Sequence, residues 1–136
     1  MARVLIADDE EAMRMLVARA IAMDGHNVAI AQDGAEALEI LNRDGGAYEL
    51  LLTDIKMPVM DGIALALAAA RDFPNLTILL MTGFADQRER AHGLDAIIHD
   101  VITKPFSVAG IRAAVSAALG ARKDGLAQAA TNTGAA

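Results

Sequence analysis

Leu50-Leu51-Leu52-Thr53-Asp54 is the stretch on which the fold turns. Its three leucines leave neither face of an extended segment suited to water, and a strand buried on both faces belongs to a parallel sheet covered by helices. The run ends in a carboxylate. Ile55-Lys56-Met57-Pro58 follows, and Asp61-Gly62 then opens a helix that runs to Asp72, with Pro74 stopping it. Outward from this centre, Arg3 to Ala7 is a second short apolar run that ends at acid. Asn27 to Ala31, Thr77 to Thr82 and Val101 to Thr103 read as three more strands. Between them, Glu10 to Asp24 carries Met13, Leu16, Val17, Ala20 and Ile21 at helical spacing, and Gly25 ends it. Gly34 to Arg43 sets Ala37, Leu38 and Leu41 on one helix face, and Gly45-Gly46 breaks the chain. Asp86 to Leu94 is a weaker helix, and Ser107 caps a last one that runs to about Leu119. Five strands alternating with five helices predict an α/β fold, a doubly wound parallel sheet with ligands beyond the carboxyl ends of its strands.

Composition narrows the function. The chain has 136 residues, 54% hydrophobic and 22% charged, which suits one domain with a real core. It has no cysteine, which excludes a disulfide framework, cysteine-ligated zinc and thiol catalysis. With 18 acidic against 12 basic residues and a net charge of −6, it is a poor match for a phosphate backbone, so direct nucleic-acid binding is not expected. No apolar stretch approaches the roughly 20 residues that span a bilayer, and Asp8 interrupts the first apolar run before it reaches signal-peptide length. A cytoplasmic protein without membrane contact is the expectation. Residues 1–120 read as the folded domain. Residues 121–136, with Leu126 as their one large apolar side chain, read as a flexible C-terminal tail too short for a DNA-binding helix pair.

The strand ends carry the chemistry. The first strand ends in Asp8-Asp9, the third in Asp54, the fourth in Thr82-Gly83 and the fifth in Lys104-Pro105. A doubly wound sheet gathers these at one rim. Three carboxylates brought together repel and call for a cation, and an all-oxygen donor set suits a hard ion such as Mg²⁺. Lys104 is a point charge suited to a phosphoryl group, and Thr82 can donate one hydrogen bond to a phosphoryl oxygen. A metal site, an anion-binding cation and a carboxylate nucleophile are equipment for an aspartyl phosphate. Singly, each motif has a plainer reading: Asp8-Asp9 as a helix-capping pair, Thr82-Gly83 as a turn. Four coincidences at four strand ends would be needed to explain the set away.

With Ala7-Asp8-Asp9-Glu10, Leu52-Thr53-Asp54-Ile55-Lys56-Met57-Pro58, Met60-Asp61-Gly62, Met81-Thr82-Gly83 and Thr103-Lys104-Pro105-Phe106 quoted, the chain resembles the receiver domain of two-component response regulators over residues 2 to 119. The resemblance implies a flavodoxin-like sheet in the order 2-1-3-4-5. It implies Asp54 as phosphoacceptor, and Asp9, Asp54 and the Lys56 backbone carbonyl as Mg²⁺ ligands, with Asp8 binding the metal through water. It implies Thr82 and Lys104 as the phosphoryl contacts and switch, and a cis peptide at Lys104-Pro105 that aims the lysine inward. The donor would be a histidine kinase or histidine phosphotransferase. The output would be protein contact through the fourth helix, fifth strand and fifth helix, with no catalysis beyond the chain's own phosphoryl transfer and dephosphorylation.

Two departures stand out. Val101 occupies the position where the family usually has Tyr or Phe, so the usual coupling of that ring to the threonine is in doubt. Lys56 and Phe84 flank the acceptor at positions that in the family modulate phosphate lifetime. The Thr82-Gly83-Phe84-Ala85 run is similar to that of CpdR-type stand-alone regulators, and also to hybrid-kinase receivers. Other functions are poorer matches. A haloacid-dehalogenase-type phosphatase wants a second Asp two residues after the first, where Lys56 stands. A dinucleotide enzyme wants a Gly-x-Gly, which is missing among the 11 glycines. A receiver-fold scaffold that takes no phosphate would not need the full set of acceptor residues.

Overall fold

In the computed structural model, β3 (Leu50–Asp54) is buried along its whole length, and every other strand is placed relative to it. The structure describes residues 1–83 and 90–135, with the side chains of 92 and 126–135 outside that description. β1 (Arg3–Ala7) and β4 (Thr77–Thr82) flank β3, β2 (Asn27–Ala31) lies outside β1, and β5 (Asp100–Thr103) outside β4. All pairings are parallel, in the order β2-β1-β3-β4-β5, as the resemblance implied. The register aligns Ala7 with Thr53, Asp54 with Met81 and Thr82 with Thr103, so the carboxyl ends of β1, β3, β4 and β5 reach the same rim.

Alternation along the strands divides the core into two layers. Leu5, Leu51, Ile78 and Leu80 point to one face, covered by α2 (Gly34–Arg43) and α3 (Gly62–Asp72) through Ala37, Leu41, Leu65 and Ala69. Val4, Ile6, Leu50, Leu52 and Leu79 point to the other, covered by α1 (Glu11–Ala22) and α4 (Val108–Ala135) through Val17, Ile21, Ile111 and Val115. Asp33 and Asp61 cap α2 and α3 by accepting from the Glu36 and Ala64 amides at 2.8 Å each. Ser107 does the same for α4, its Oγ accepting from the Gly110 amide.

Several boundaries differ from the sequence expectation. α4 does not end near Leu119 but continues to Ala135. Its extension is rich in Ala with Arg, Lys, Leu and Gln, good helix formers that outweigh Gly120, Gly125 and Gly134. Of the helix expected over Asp86 to Leu94, residues 86–89 lie outside the described residues. Arg90 and Ala91 are helical and His92–Leu94 form a 3₁₀ turn. Among the described residues there are thus four α-helices, where five were expected. On α1, Leu16 was expected in the core and is 44% exposed, while Arg14 is 9% exposed. The apolar stripe turns by less than one position, and Arg14 joins Val17 and Ile21 on the inward face.

Candidate functional site

Each functional side chain sits where a strand runs out of sheet. Asp8 follows β1 and is fully buried; its amide still donates to the Ala31 carbonyl at 3.1 Å, so β2 holds the turn. Its Oδ1 accepts from the Glu10 amide at 3.0 Å, a local cap on the entry to α1. Asp9 is exposed at the rim. Asp54 ends β3 with 8% exposure, and its Oδ1 accepts from the Ile55 amide at 3.0 Å. Asp8, Asp9 and Asp54 each bring a carboxylate oxygen within 4.8 Å of the others. Lys104 reaches this group from β5. Its Nζ lies 3.5 Å from Asp8 Oδ2 and 3.5 Å from Asp54 Oδ1. The Lys104 amide donates to the Thr82 carbonyl at 2.7 Å, which ties the buried Thr82 to the lysine through the backbone. The Lys104–Pro105 peptide is cis.

One ammonium faces three carboxylates, an excess of negative charge that burial makes costly. Burial accordingly pushes the Asp8 carboxyl up despite the Glu10 amide and Lys104. Asp54 is pushed up to about 6, chiefly by burial; Lys104 pulls it down and the Asp8 charge pushes it further up. Hard oxygen donors converging on one point fit a small divalent cation, which would supply the missing positive charge.

The loop after Asp54 is packed against backbone at both ends. Gly62 donates to the Ile55 carbonyl at 2.8 Å, and a Cβ at Gly62 would overlap the Asp54 carbonyl oxygen. The Gly34 amide donates to the Met60 carbonyl at 3.0 Å, which seats the loop on the start of α2. Val59 between them has φ +68° and is 86% exposed, a left-handed conformation that a β-branched side chain disfavours. Val59→Gly is expected to raise stability by about 0.5–1 kcal/mol, the relief of strain exceeding glycine's entropy. A lower denaturant midpoint in the variant would refute strain at this position.

Asp8, Asp9, Asp54 and Lys104 come together, with Thr82 tied to Lys104 through the backbone. Lys56 is exposed two residues beyond Asp54. Val101 is half-buried on β5, opposite Leu80, and packs on the α2–α3 layer. Phe84 lies outside the described residues. Two residues at the site were passed over in the sequence. Gly62 was read as a helix start and not as a point of backbone contact. Arg14 donates from its guanidinium to the Asp8 carbonyl at 2.9 Å. Its signal was available, since it stands three and seven residues before Val17 and Ile21.

A sequence model described as response regulator receiver domain matches residues 4–116. The response regulator MprA of Mycobacterium leprae is 35% identical over 117 residues, covering 86% of this chain and 50% of that protein. The homologue from Mycolicibacterium vanbaalenii is 33% identical with the same coverage. The chain therefore spans about half the length of the curated relatives it matches. Among solved structures, a CheY-like receiver domain protein from Methanospirillum hungatei superimposes with a TM-score of 0.82 at 26% identity, covering 91% of this chain and 98% of that one. The response regulator TrrA of Thermotoga maritima, solved with Mg²⁺ and BeF, gives 0.75 at 25% identity, covering 87% and 99%.

Proposed function

We propose, for a chain that belongs to the response regulator receiver domain family, that it takes a phosphoryl group onto Asp54 within a two-component phosphorelay. Receiver domains of this family interact with histidine kinases or histidine phosphotransferases, and the donor here is a phosphohistidine of such a partner. An Asp54 carboxylate oxygen attacks phosphorus, the P–N bond breaks, and the imidazole leaves with a proton. The observation that carries this reading is the geometry at Asp54: a nearly buried carboxylate with Lys104 Nζ 3.5 Å away and a second carboxylate beyond it.

Asp9, Asp54 and the Lys56 carbonyl would hold Mg²⁺ directly and Asp8 would hold it through water, and such an ion would supply positive charge against the phosphoryl oxygens. Lys104 and Thr82 contact the phosphoryl group. Lys56 and Phe84 set how long it survives, and Val101 leaves the switch without an aromatic ring. The chain catalyses its own phosphoryl transfer and hydrolysis only. A solvent-exposed lysine where a phosphatase needs its general acid favours this reading over turnover of small phosphomonoesters. Output runs by protein contact through the segment around Arg90, β5 and α4. Residues 1–120 form the receiver unit, supported by buried Ile111, Val115 and Ala118 and by exposed positions 120, 121 and 123–125, and 121–136 is an appendage to it. No described helix is long and apolar enough to cross a membrane.

Radiolabelled acetyl phosphate with Mg²⁺ tests the reading. Acid-labile label on Asp54 is expected, and no uptake would overturn it. Asp9→Ala removes a direct ligand and one of three repelling charges. Its labelling should lose its Mg²⁺ dependence along with most of its rate, while the metal-free fold is as stable as wild type or more so. Undiminished Mg²⁺-dependent labelling in Asp9→Ala would remove Asp9 from the ligand set.

A further inference from the structure

Among the described residues, the buried polar or charged side chains are Asp8, Arg14, Thr53, Asp54 and Thr82. Arg14 is the one cation of that set, and it forms no ion pair. Its Nε has no hydrogen-bond partner, and the guanidinium's bond to the chain runs from Nη1 to the Asp8 backbone carbonyl, at 2.9 Å and buried. A buried charge left so poorly paired is costly. We propose that Arg14 is a positioning residue for the metal-binding carboxylates, holding the peptide plane between Asp8 and Asp9. This rests on the phosphoacceptor reading above.

The argument is one of constraint. Asp8 is held at every polar group: its amide by Ala31, its Oδ1 by Glu10, its Oδ2 by Lys104 and its carbonyl by Arg14. The Asp9 carboxylate, in contrast, has no hydrogen-bond or ion-pair partner among the described residues. The direction of the Asp9 side chain then depends on its backbone. The Asp8 carbonyl and the Asp9 amide share one rigid plane, so a donor that fixes the carbonyl fixes the torsions on both sides of that plane. Arg14 is itself fixed, since its own amide donates to the Glu10 carbonyl at 2.9 Å in the first turn of α1. The guanidinium thus ties the start of α1 to the end of β1, across the turn that presents both acids.

A role through charge alone predicts the opposite result. A buried cation beside three carboxylates opposes Mg²⁺ binding, so its removal would tighten the metal. Loss of a positioning contact loosens it, and orienting partners of metal ligands typically account for tenfold or more in affinity. The experiment is calorimetric Mg²⁺ titration of the unphosphorylated protein, with thermal unfolding of each variant. Arg14→Met, apolar and of similar length, is expected to raise the Mg²⁺ dissociation constant about tenfold, and Arg14→Lys about threefold. In the Asp9→Ala background, Arg14→Met should change it by less than about twofold, because the ligand being aimed is gone. Tighter or unchanged Mg²⁺ binding in Arg14→Met overturns the proposal, whatever happens to stability. Should Arg14→Met not fold, unchanged binding in Arg14→Lys overturns it equally. A wild type that neither binds Mg²⁺ nor labels from acetyl phosphate overturns the phosphoacceptor reading together with this one. Wild-type binding and labelling with unaltered Arg14 variants overturns this one alone.

Discussion

Asp54→Asn is expected to abolish labelling by acetyl phosphate, lowering the rate by more than about a thousandfold, because the amide keeps the shape and removes the nucleophile. The same substitution should stabilise the metal-free protein. Burial and the Asp8 charge hold the Asp54 carboxyl at about 6, above the ordinary 3.8. The folded chain therefore binds more protons than the unfolded chain between about pH 4 and 6, and stability falls as pH rises through that window. At pH 7 the ionised carboxylate costs about 2 kcal/mol, a figure discounted for water reaching the cleft. Asp54→Asn removes that cost and flattens this part of the pH dependence. Urea unfolding at pH 4.5 and pH 7.5 without metal measures it. A clearly larger gain at pH 7.5 than at pH 4.5 is expected, and an equal effect at both pH values would show that the carboxyl carries no raised proton affinity. Saturating Mg²⁺ should erase most of the difference between the two proteins at pH 7.5, since the ion compensates the charge that the variant lacks.

Gly62→Ala is expected to be as damaging to the fold as Asp54→Asn is to the chemistry. The added methyl would overlap the Asp54 carbonyl oxygen and stand 2.9 Å from the Asp54 carbonyl carbon and the Ile55 Cα. These are backbone atoms of a wholly buried strand end, so no side chain can swing aside. Overpacking against an unyielding neighbour costs roughly 3 kcal/mol or more, and relief requires α3 or the Asp54–Ile55 peptide to move. The second route tilts the acceptor carboxylate. Loss of stability and loss of labelling should therefore appear together. An alanine variant with wild-type unfolding would contradict the close contact, and full labelling in a destabilised variant would show that α3 alone gives way.

The strand Leu50–Asp54 was legible because three leucines in a row admit one environment, and Thr77–Thr82 for the same reason. The cluster at the rim was legible because Asp8, Asp9, Asp54, Thr82 and Lys104 each stand where a strand ends, and parallel strands end on one rim. The true extent of α4 was less so. Among the described side chains its apolar anchors stop at Leu119, while helix propensity in an Ala-rich extension carries it to Ala135.

By itself the sequence determined the strand order through its resemblance, and it named the acids and the lysine that the fold gathers at one rim. Hydrophobic period and residue type are local properties, written at each position. Tertiary structure alone decided which face of α1 turns inward, exchanging Leu16 for Arg14. It also placed Gly62 against Asp54 and Gly34 against Met60. These are contacts between backbones 8 and 26 residues apart in the chain. No side-chain pattern encodes them, because what each glycine contributes is the absence of a side chain where two elements meet.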